Sequence, residues 1–137
     1  MPQLDGVLET ALYVDDLARA IAFYEQTLEL QTLYRDSRMA AFAVGGRSVL
    51  LLFPRGGSLD TVHMPGGTIP PHDGAGPLHI AFAIPAAELA AWTQRLTAHG
   101  IAIEGRTVWK RGGESIYFRD PDGHLLELAT PGLWAIY

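Results

Sequence analysis

The chain has 137 residues, of which 48% are hydrophobic and 18% are charged, and its formal net charge is −5. This composition excludes a disordered chain, and without a Lys/Arg cluster it argues against a nucleic-acid partner. With no cysteine, no signal-peptide pattern and no stretch of the roughly 18 apolar residues that a membrane span needs, we expect a cytoplasmic protein without disulfides or a membrane partner.

The first half of the chain predicts a strand, a helix and three further strands. Residues 6–14 have the composition of a strand, in which alternation puts Glu9 and Tyr13 on one face. The helical apolar spacing that follows extends to about Leu28, and an aspartate pair ahead of it can cap its first turn. Three short strands are predicted next, near residues 31–35, 39–44 and 48–53.

The stretch from Pro54 to Pro77 is rich in glycine and proline, which predicts no regular element there. A loop of this length inside a compact domain is either a functional lid or a linker between two halves. The chain then closes with a hairpin whose turn is Asp120–Gly123. Between loop and hairpin the pattern of the first half returns, with a strand over 77–84, a helix over 86–99 that Gly100 ends, and a strand over 101–109.

Strand–helix–strand–strand–strand therefore occurs twice, which predicts a fold of the α+β class. One such βαβββ module has an open sheet, so we expect the two modules to form one cupped mixed sheet with the helices on its outer face. The predicted organisation is a single domain of residues 1–137, with module one at about 6–54, a linker loop at 55–76, module two at about 77–131 and a C-terminal tail at 132–137.

Three potential metal ligands lie at repeat-related positions on strands that are otherwise apolar. Superposing the repeats makes Glu9 and His79 equivalent, and Glu127 lies on the last strand with Leu50 as its counterpart. Two carboxylates near one imidazole repel each other unless a positive charge lies between them. Hard oxygen donors without cysteine favour a divalent ion (Mg, Mn, Fe(II), Co, Ni or Zn) in a site with open positions. Each residue also has a structural interpretation: a rim acid, a satisfied core histidine, and a partner for an arginine such as Arg119.

Three segments carry a family resemblance: VDDLARAIAFYEQTLEL at 14–30, GPLHIAFAI at 76–84 and YFRDPDGHLLEL at 117–128. On these segments the chain resembles the vicinal oxygen chelate superfamily, which includes glyoxalase I, fosfomycin-resistance enzymes, extradiol dioxygenases and bleomycin-binding proteins. The resemblance extends over Leu8–Pro131. It implies paired βαβββ modules, a homodimer, and a divalent metal ion held by Glu9, His79 and Glu127.

Within the superfamily, the resemblance favours a metal-dependent enzyme of the glyoxalase type, a lyase or isomerase that acts on a small oxygen-chelating substrate and stabilises an enediolate or alkoxide. Glyoxalase I has a fourth protein ligand where this chain has Leu50. Extradiol dioxygenases and fosfomycin-resistance enzymes have histidine in place of Glu9, and the latter have threonine in place of Ala11. A dioxygenase or a fosfomycin-type transferase is therefore less favoured. The alternative function is a metal-free protein that binds an antibiotic or a small aromatic compound.

The predicted acid–base residues are Glu127, Glu9 and Tyr117, since either carboxylate can move a proton and the tyrosine can orient or protonate an oxygen. A loop histidine can reach the substrate as an acid–base group, and the Lys110–Arg111 turn can hold an anionic group. Solvated loop and hairpin-tip positions also explain these residues. The predicted substrate pocket comprises Ser115, Tyr117, Trp109, Lys110, Arg111, Leu50, His63 and His72.

Overall fold

The structure, a computed structural model, describes residues 1–137. The chain forms two compact units, Met1–Ala75 and Gly76–Tyr137. Each unit contains one βαβββ module, which confirms the predicted α+β class with two such modules. Within the chain, each module has its own four-stranded mixed sheet. None of the helices has the length and apolar content that crossing a bilayer requires.

The module of the first unit consists of β1 (Glu9–Val14), α1 (Leu17–Gln26), β2 (Gln31–Arg35), β3 (Ala40–Val44) and β4 (Ser48–Pro54). The sheet order is β1-β4-β3-β2, with β1 parallel to β4 and the other pairs antiparallel. Asp16 caps α1, since its carboxylate accepts a hydrogen bond from the Arg19 backbone N–H at 3.0 Å. The buried Tyr24 ring of α1 lies 6.0 Å from the Phe42 ring of β3. The helix therefore covers one face of the sheet, and the other face is the one that carries Glu9.

The loop after β4 contains a hairpin that the sequence pattern did not predict. Strand β5 (Val62–Met64) pairs antiparallel with β6 (Gly67–Ile69), so the prediction of no regular element in this stretch is wrong. The density of glycine and proline predicted a break, but Pro65 and Gly66 occupy the turn between the two strands. Proline presets φ at the first turn position and glycine is tolerated at the second, so residues that break longer elements can also close a short turn.

The second unit contains β7 (His79–Ala83), a short 3₁₀ helix (Ala86–Glu88), α2 (Leu89–Ala98), β8 (Gly105–Val108), β9 (Glu114–Arg119) and β10 (Leu125–Ala129). The sheet order is β7-β10-β9-β8, and β7 is parallel to β10. Gly100 has φ +71° after the end of α2, as expected for a left-handed helix terminator. Strand β8 is shorter than the predicted 101–109.

The turn between β9 and β10 fixes the position of the last strand. The Asp120 carboxylate accepts hydrogen bonds from the backbone N–H groups of Asp122 and His124, each at 2.9 Å, and Gly123 has φ +82°. His124 is buried, and its Nδ1 accepts a hydrogen bond from the Leu78 N–H at 2.8 Å. This histidine therefore ties the start of β10 to the residue before β7, and the two strands meet in a defined register.

Gly113 should not tolerate a side chain. A Cβ there would lie 2.7 Å from the carbonyl carbon of Gly132 and 2.9 Å from its oxygen, and backbone cannot move away cheaply. We expect Gly113→Ala to lower the free energy of unfolding by about 2 kcal/mol, measured by urea denaturation. Gly66→Ala is the matched control, because a Cβ at Gly66 would meet no atom within 4 Å; equal stability of the two variants would contradict the packing argument.

Candidate functional site

The second unit brings two of the predicted ligands together. Because β7 runs parallel to β10, His79 lies opposite Leu125, and Glu127 is two residues further along β10. His79 Nε2 lies 3.2 Å from Glu127 Oε1. The Glu127 side chain is 6% exposed, whereas that of His79 is 49% exposed, so a buried carboxylate meets an imidazole that solvent reaches.

The second nitrogen of His79 determines what its Nε2 can do. Nδ1 lies 2.8 Å from the backbone carbonyl oxygen of Leu125. A carbonyl oxygen only accepts, so Nδ1 carries the proton, and a neutral imidazole then has a bare lone pair on Nε2. That lone pair faces a carboxylate oxygen of Glu127, and two acceptors in contact need a proton or a metal ion between them. A carbonyl that orients the second ring nitrogen is the support typical of metal-binding histidines.

The other Glu127 oxygen is held by two predicted pocket residues. The Ser115 hydroxyl donates to Glu127 Oε2 at 2.5 Å, and the Trp109 indole N–H donates to the Ser115 oxygen at 2.8 Å. Ser115 is buried, which fits a partner for a buried carboxylate. The predicted arginine partner is excluded, because Arg119 is bound to Glu104 at 2.7 Å.

Tyr117 lies beside this pair, and the basic turn lies in solvent. Tyr117 is directly opposite Glu127 on β9, and its ring centroid is 6.5 Å from that of His79. It is half-buried. Lys110 and Arg111 are both exposed in the turn between β8 and β9, one and two residues after the tryptophan that contacts Ser115.

The first unit has a cavity of about 640 Å³ that Glu9 helps to line. Glu9 is exposed on β1. The remaining lining residues are mostly apolar or aromatic: Ala11, Tyr13, Tyr34, Asp36, Arg38, Met39, Leu51, Phe53, Ser58, Val62, Met64, Ile69 and His72. No group of three or more His, Cys, Asp or Glu side chains in the chain is placed to hold a metal ion. The triad of Glu9, His79 and Glu127 therefore stays a prediction.

His72, a predicted pocket residue, lines this cavity together with Tyr13. The Tyr13 hydroxyl lies 2.7 Å from His72 Nδ1, and the His72 ring contacts Phe53 edge-on with centroids 4.6 Å apart. Burial, with a smaller effect of the Asp73 carboxylate, raises the pKa of the Tyr13 phenol, so the hydroxyl keeps its proton in this hydrogen bond. This contact fastens the loop after β6 to the sheet.

We expect Tyr13→Phe to loosen this loop with little loss of global stability. The substitution keeps the ring stack on Phe53 but removes one hydrogen bond, worth about 1 kcal/mol. Hydrogen exchange should speed up at the amides of residues 72–74 and not in α1. Tyr34→Phe, which also loses a hydroxyl at the cavity, is the control. Unchanged exchange in Tyr13→Phe would contradict a fastening role.

The prediction for Leu50 requires a correction of one residue. Glu9 pairs with Val49 and Ala11 with Leu51, just as His79 pairs with Leu125 and Ala81 with Glu127. The counterpart of Glu127 is therefore Leu51, which lines the cavity. Leu50 is 1% exposed and belongs to the core, because a shift of one residue moves a side chain to the opposite face of a sheet.

His63 also differs from its predicted role in the pocket. It is exposed on β5, and its neighbours Val62 and Met64 are the ones that line the cavity. Alternation along a strand puts His63 on the opposite face. The hairpin that causes this alternation was not predicted, so sequence reasoning had no basis for distinguishing His63 from His72.

Two features of the site were missed. Tyr13 shares a strand face with Glu9 by simple alternation, and this signal could have identified it as a cavity residue. The contact from Trp109 to Ser115 left no such signal, since it joins residues on either side of a turn whose geometry comes from backbone bonds to Gly112 and Gly113.

Comparison with known proteins gives consistent matches over nearly the whole chain. Residues 6–128 match the model of the Glyoxalase/Bleomycin resistance protein/Dioxygenase superfamily. The metallothiol transferase FosB of Staphylococcus saprophyticus is 32% identical over 118 residues, which is 85% of this chain and 71% of that protein.

Solved structures also match nearly the whole chain. A lactoylglutathione lyase from Agrobacterium tumefaciens is 33% identical with a TM-score of 0.88, and the match covers 98% of this chain and 99% of that one. The fosfomycin resistance protein FosX from Listeria monocytogenes is 26% identical with a TM-score of 0.69, covering 93% and 94% of the two chains. The chain is thus similar to a transferase and to a lyase, and the names of both refer to a thiol.

Proposed function

The chain belongs to the glyoxalase/bleomycin resistance protein/dioxygenase superfamily, and on this premise we propose that it is a metal-dependent enzyme that joins or rearranges a small thiol and a small molecule with adjacent oxygens. The observation that carries the proposal is the pair of His79 Nε2 and Glu127 Oε1, two acceptors 3.2 Å apart on strands that are otherwise apolar. A divalent cation with a preference for nitrogen and oxygen ligands fits between them.

His79 through Nε2 and Glu127 through Oε1 would hold the ion. Glu9 is proposed as the third ligand, because it has on β1 the register position that His79 has on β7. When bound, the ion supplies Lewis-acid polarisation of substrate oxygens. Mg, Mn, Fe(II), Co, Ni and Zn all remain candidates, since the donor set contains no soft ligand.

The names of similar proteins support a thiol as one substrate. One is a metallothiol transferase and another a lactoylglutathione lyase, which supports thiol transfer as the first reaction to test and a glyoxalase-type lyase or isomerase reaction as the second. In thiol transfer the sulfur forms a bond to carbon, a C–O bond breaks, and the freed oxygen takes up a proton. Tyr117, which is half-buried opposite Glu127 and beside His79, would orient or supply that proton.

The first unit's cavity suits a small apolar or aromatic molecule. Its walls include Phe53, Met64 and Ile69, and the Tyr13–His72 pair is a polar group among them. A cavity of mainly apolar walls with a few polar groups is typical of small-molecule sites. Fosfomycin-resistance enzymes resemble the chain but have histidine at the Glu9 position and threonine at the Ala11 position, so we propose an oxygen-bearing substrate other than fosfomycin.

The second candidate function is a metal-free binding protein for a small aromatic compound. The stacked rings of Tyr13 and Phe53, with centroids 6.1 Å apart, support it. The His79–Glu127 pair does not, because a binder of aromatic compounds has no need of two facing acceptors.

A substrate panel tests the proposal. Protein loaded with Zn²⁺, Mn²⁺ or Ni²⁺ would be assayed with glutathione and small epoxides, among which fosfomycin is expected not to react, with the glutathione hemithioacetal of methylglyoxal, and with catechol. We expect thiol-dependent turnover of an oxygen-bearing electrophile that chelator abolishes. Binding of aromatic compounds with no turnover and no chelator effect would favour the second candidate.

We also propose that the protein is a homodimer, as the superfamily resemblance implies. The apolar side chains of Val7, Leu8 and Val108 are exposed in the single chain, which supports burial in an interface. Light scattering coupled to size exclusion should give twice the mass of the 14.9 kDa chain; a monomer at all concentrations would contradict this proposal.

A further inference from the structure

The two carboxylate oxygens of Glu127 have different partners, and this difference indicates a role for residues outside the predicted ligand set. Oε1 faces His79, whereas Oε2 accepts the short hydrogen bond from Ser115. A buried carboxylate is costly unless its oxygens are satisfied. Oε2 is thus held by the protein, and Oε1, which faces His79, is the oxygen placed to bind a cation.

The direction of each hydrogen bond is fixed by chemistry. The Trp109 indole nitrogen can only donate, so it must occupy a lone pair of the Ser115 oxygen. The single Ser115 proton is then left for Glu127 Oε2 at 2.5 Å. A carboxylate accepts and does not donate, so no alternative arrangement satisfies all three groups.

The tryptophan is itself held by the backbone. The backbone N–H of Trp109 donates to the Gly113 carbonyl at 2.8 Å, and the Trp109 carbonyl accepts from the Gly112 N–H at 2.9 Å. The residue Trp109 is 36% exposed. The turn between β8 and β9 therefore positions two successive hydrogen bonds, from Trp109 at the surface to Ser115 and from Ser115 to the buried carboxylate oxygen of Glu127.

We propose that Trp109 and Ser115 are positioning residues that hold Glu127 as a fixed, single-oxygen metal ligand. The inference rests on the proposed function, since it concerns the same metal site. It also gives the two predicted carboxylate ligands different roles. Glu127 stays in place during turnover, and exposed Glu9 is the carboxylate with freedom to move.

The test measures binding of Co²⁺ and Zn²⁺ to the full chain by calorimetry, together with the visible absorption of bound Co²⁺. Ser115→Ala and Trp109→Phe should each weaken binding about 10- to 100-fold, the range typical of residues that orient a ligand. Ser115→Thr keeps the hydroxyl and should restore affinity to within a few-fold. Trp134→Phe, which removes another exposed indole, should change nothing. The Co²⁺ spectrum should shift in Ser115→Ala, because Glu127 gains a second free oxygen.

The outcomes separate this inference from the proposed function. Absence of Co²⁺ and Zn²⁺ binding by the wild-type protein would overturn both. Tight wild-type binding with unchanged affinity and spectrum in Ser115→Ala would overturn only the positioning role. Weak binding by Ser115→Thr as well as Ser115→Ala, with Trp109→Phe unaffected, would show that the serine merely fills space and would also overturn it.

Discussion

Glu127→Gln should cost the protein its metal affinity without costing it stability. A glutamine can accept from Ser115 through its carbonyl oxygen and donate from its NH₂ group to the bare Nε2 of His79. The metal-free variant should therefore be as stable as the wild-type protein or more stable by about 1 kcal/mol, because a buried charge is replaced by a satisfied amide. Divalent-metal affinity should fall by more than about 100-fold, since even residues that merely support a ligand are worth 10- to 100-fold.

Urea denaturation and calorimetric titration measure the two quantities. Glu114→Gln is the matched control, because Glu114 is exposed on the neighbouring strand β9 and its neutralisation removes the same charge. It should change neither stability nor affinity. Loss of metal binding in both variants would assign the effect to net charge and would contradict a ligand role for Glu127.

Leu50→Glu should unfold the protein, whereas Leu51→Glu should be tolerated. Leu50 is 1% exposed in the core of the first unit, and an unpaired charge there costs several kcal/mol, a large part of the 5–15 kcal/mol of a typical domain. Leu51 is half-buried and lines the cavity, so a carboxylate there reaches solvent. We expect a loss of at most about 2 kcal/mol for it.

Far-UV circular dichroism and denaturant unfolding distinguish the two outcomes. Leu50→Ala and Leu51→Ala separate volume from charge, since the first should cost about 2–5 kcal/mol as a core truncation and the second less. A folded Leu50→Glu beside an unfolded Leu51→Glu would show that the register of β4 is the one that the sequence alignment gave.

Features that depend on local chemistry could be predicted from the sequence. The helix α1 follows from its apolar spacing and the cap at Asp16, and the turn at Asp120–Gly123 follows from proline and glycine at positions that a tight turn favours. Glu127 stood out because a carboxylate on an apolar strand requires a partner. The βαβββ repeat was recognisable since both modules keep the same order of periodicities.

Features that depend on register, or on contacts between residues distant in the chain, could not be predicted from the sequence. Strand β4 is apolar from Val49 to Phe53, so no alternation in its sequence distinguishes the face of Leu51, which lines the cavity, from that of Leu50, which is in the core. The Ser115–Glu127 bond joins diagonal neighbours, because Ser115 lies opposite Ala129 and Glu127 lies opposite Tyr117 in the register of β9 and β10. His72 and Tyr13 are 59 residues apart, and only the folded loop brings them together.

The most direct test of the central claim is a calorimetric titration of the metal-free wild-type protein with Zn²⁺. If His79 and Glu127 form part of a metal site, the protein should bind one ion per chain with an affinity that Glu127→Gln destroys. Absence of binding by the wild-type protein even at millimolar zinc would contradict the metal-dependent function and leave the His79–Glu127 pair as a proton-bridged structural contact.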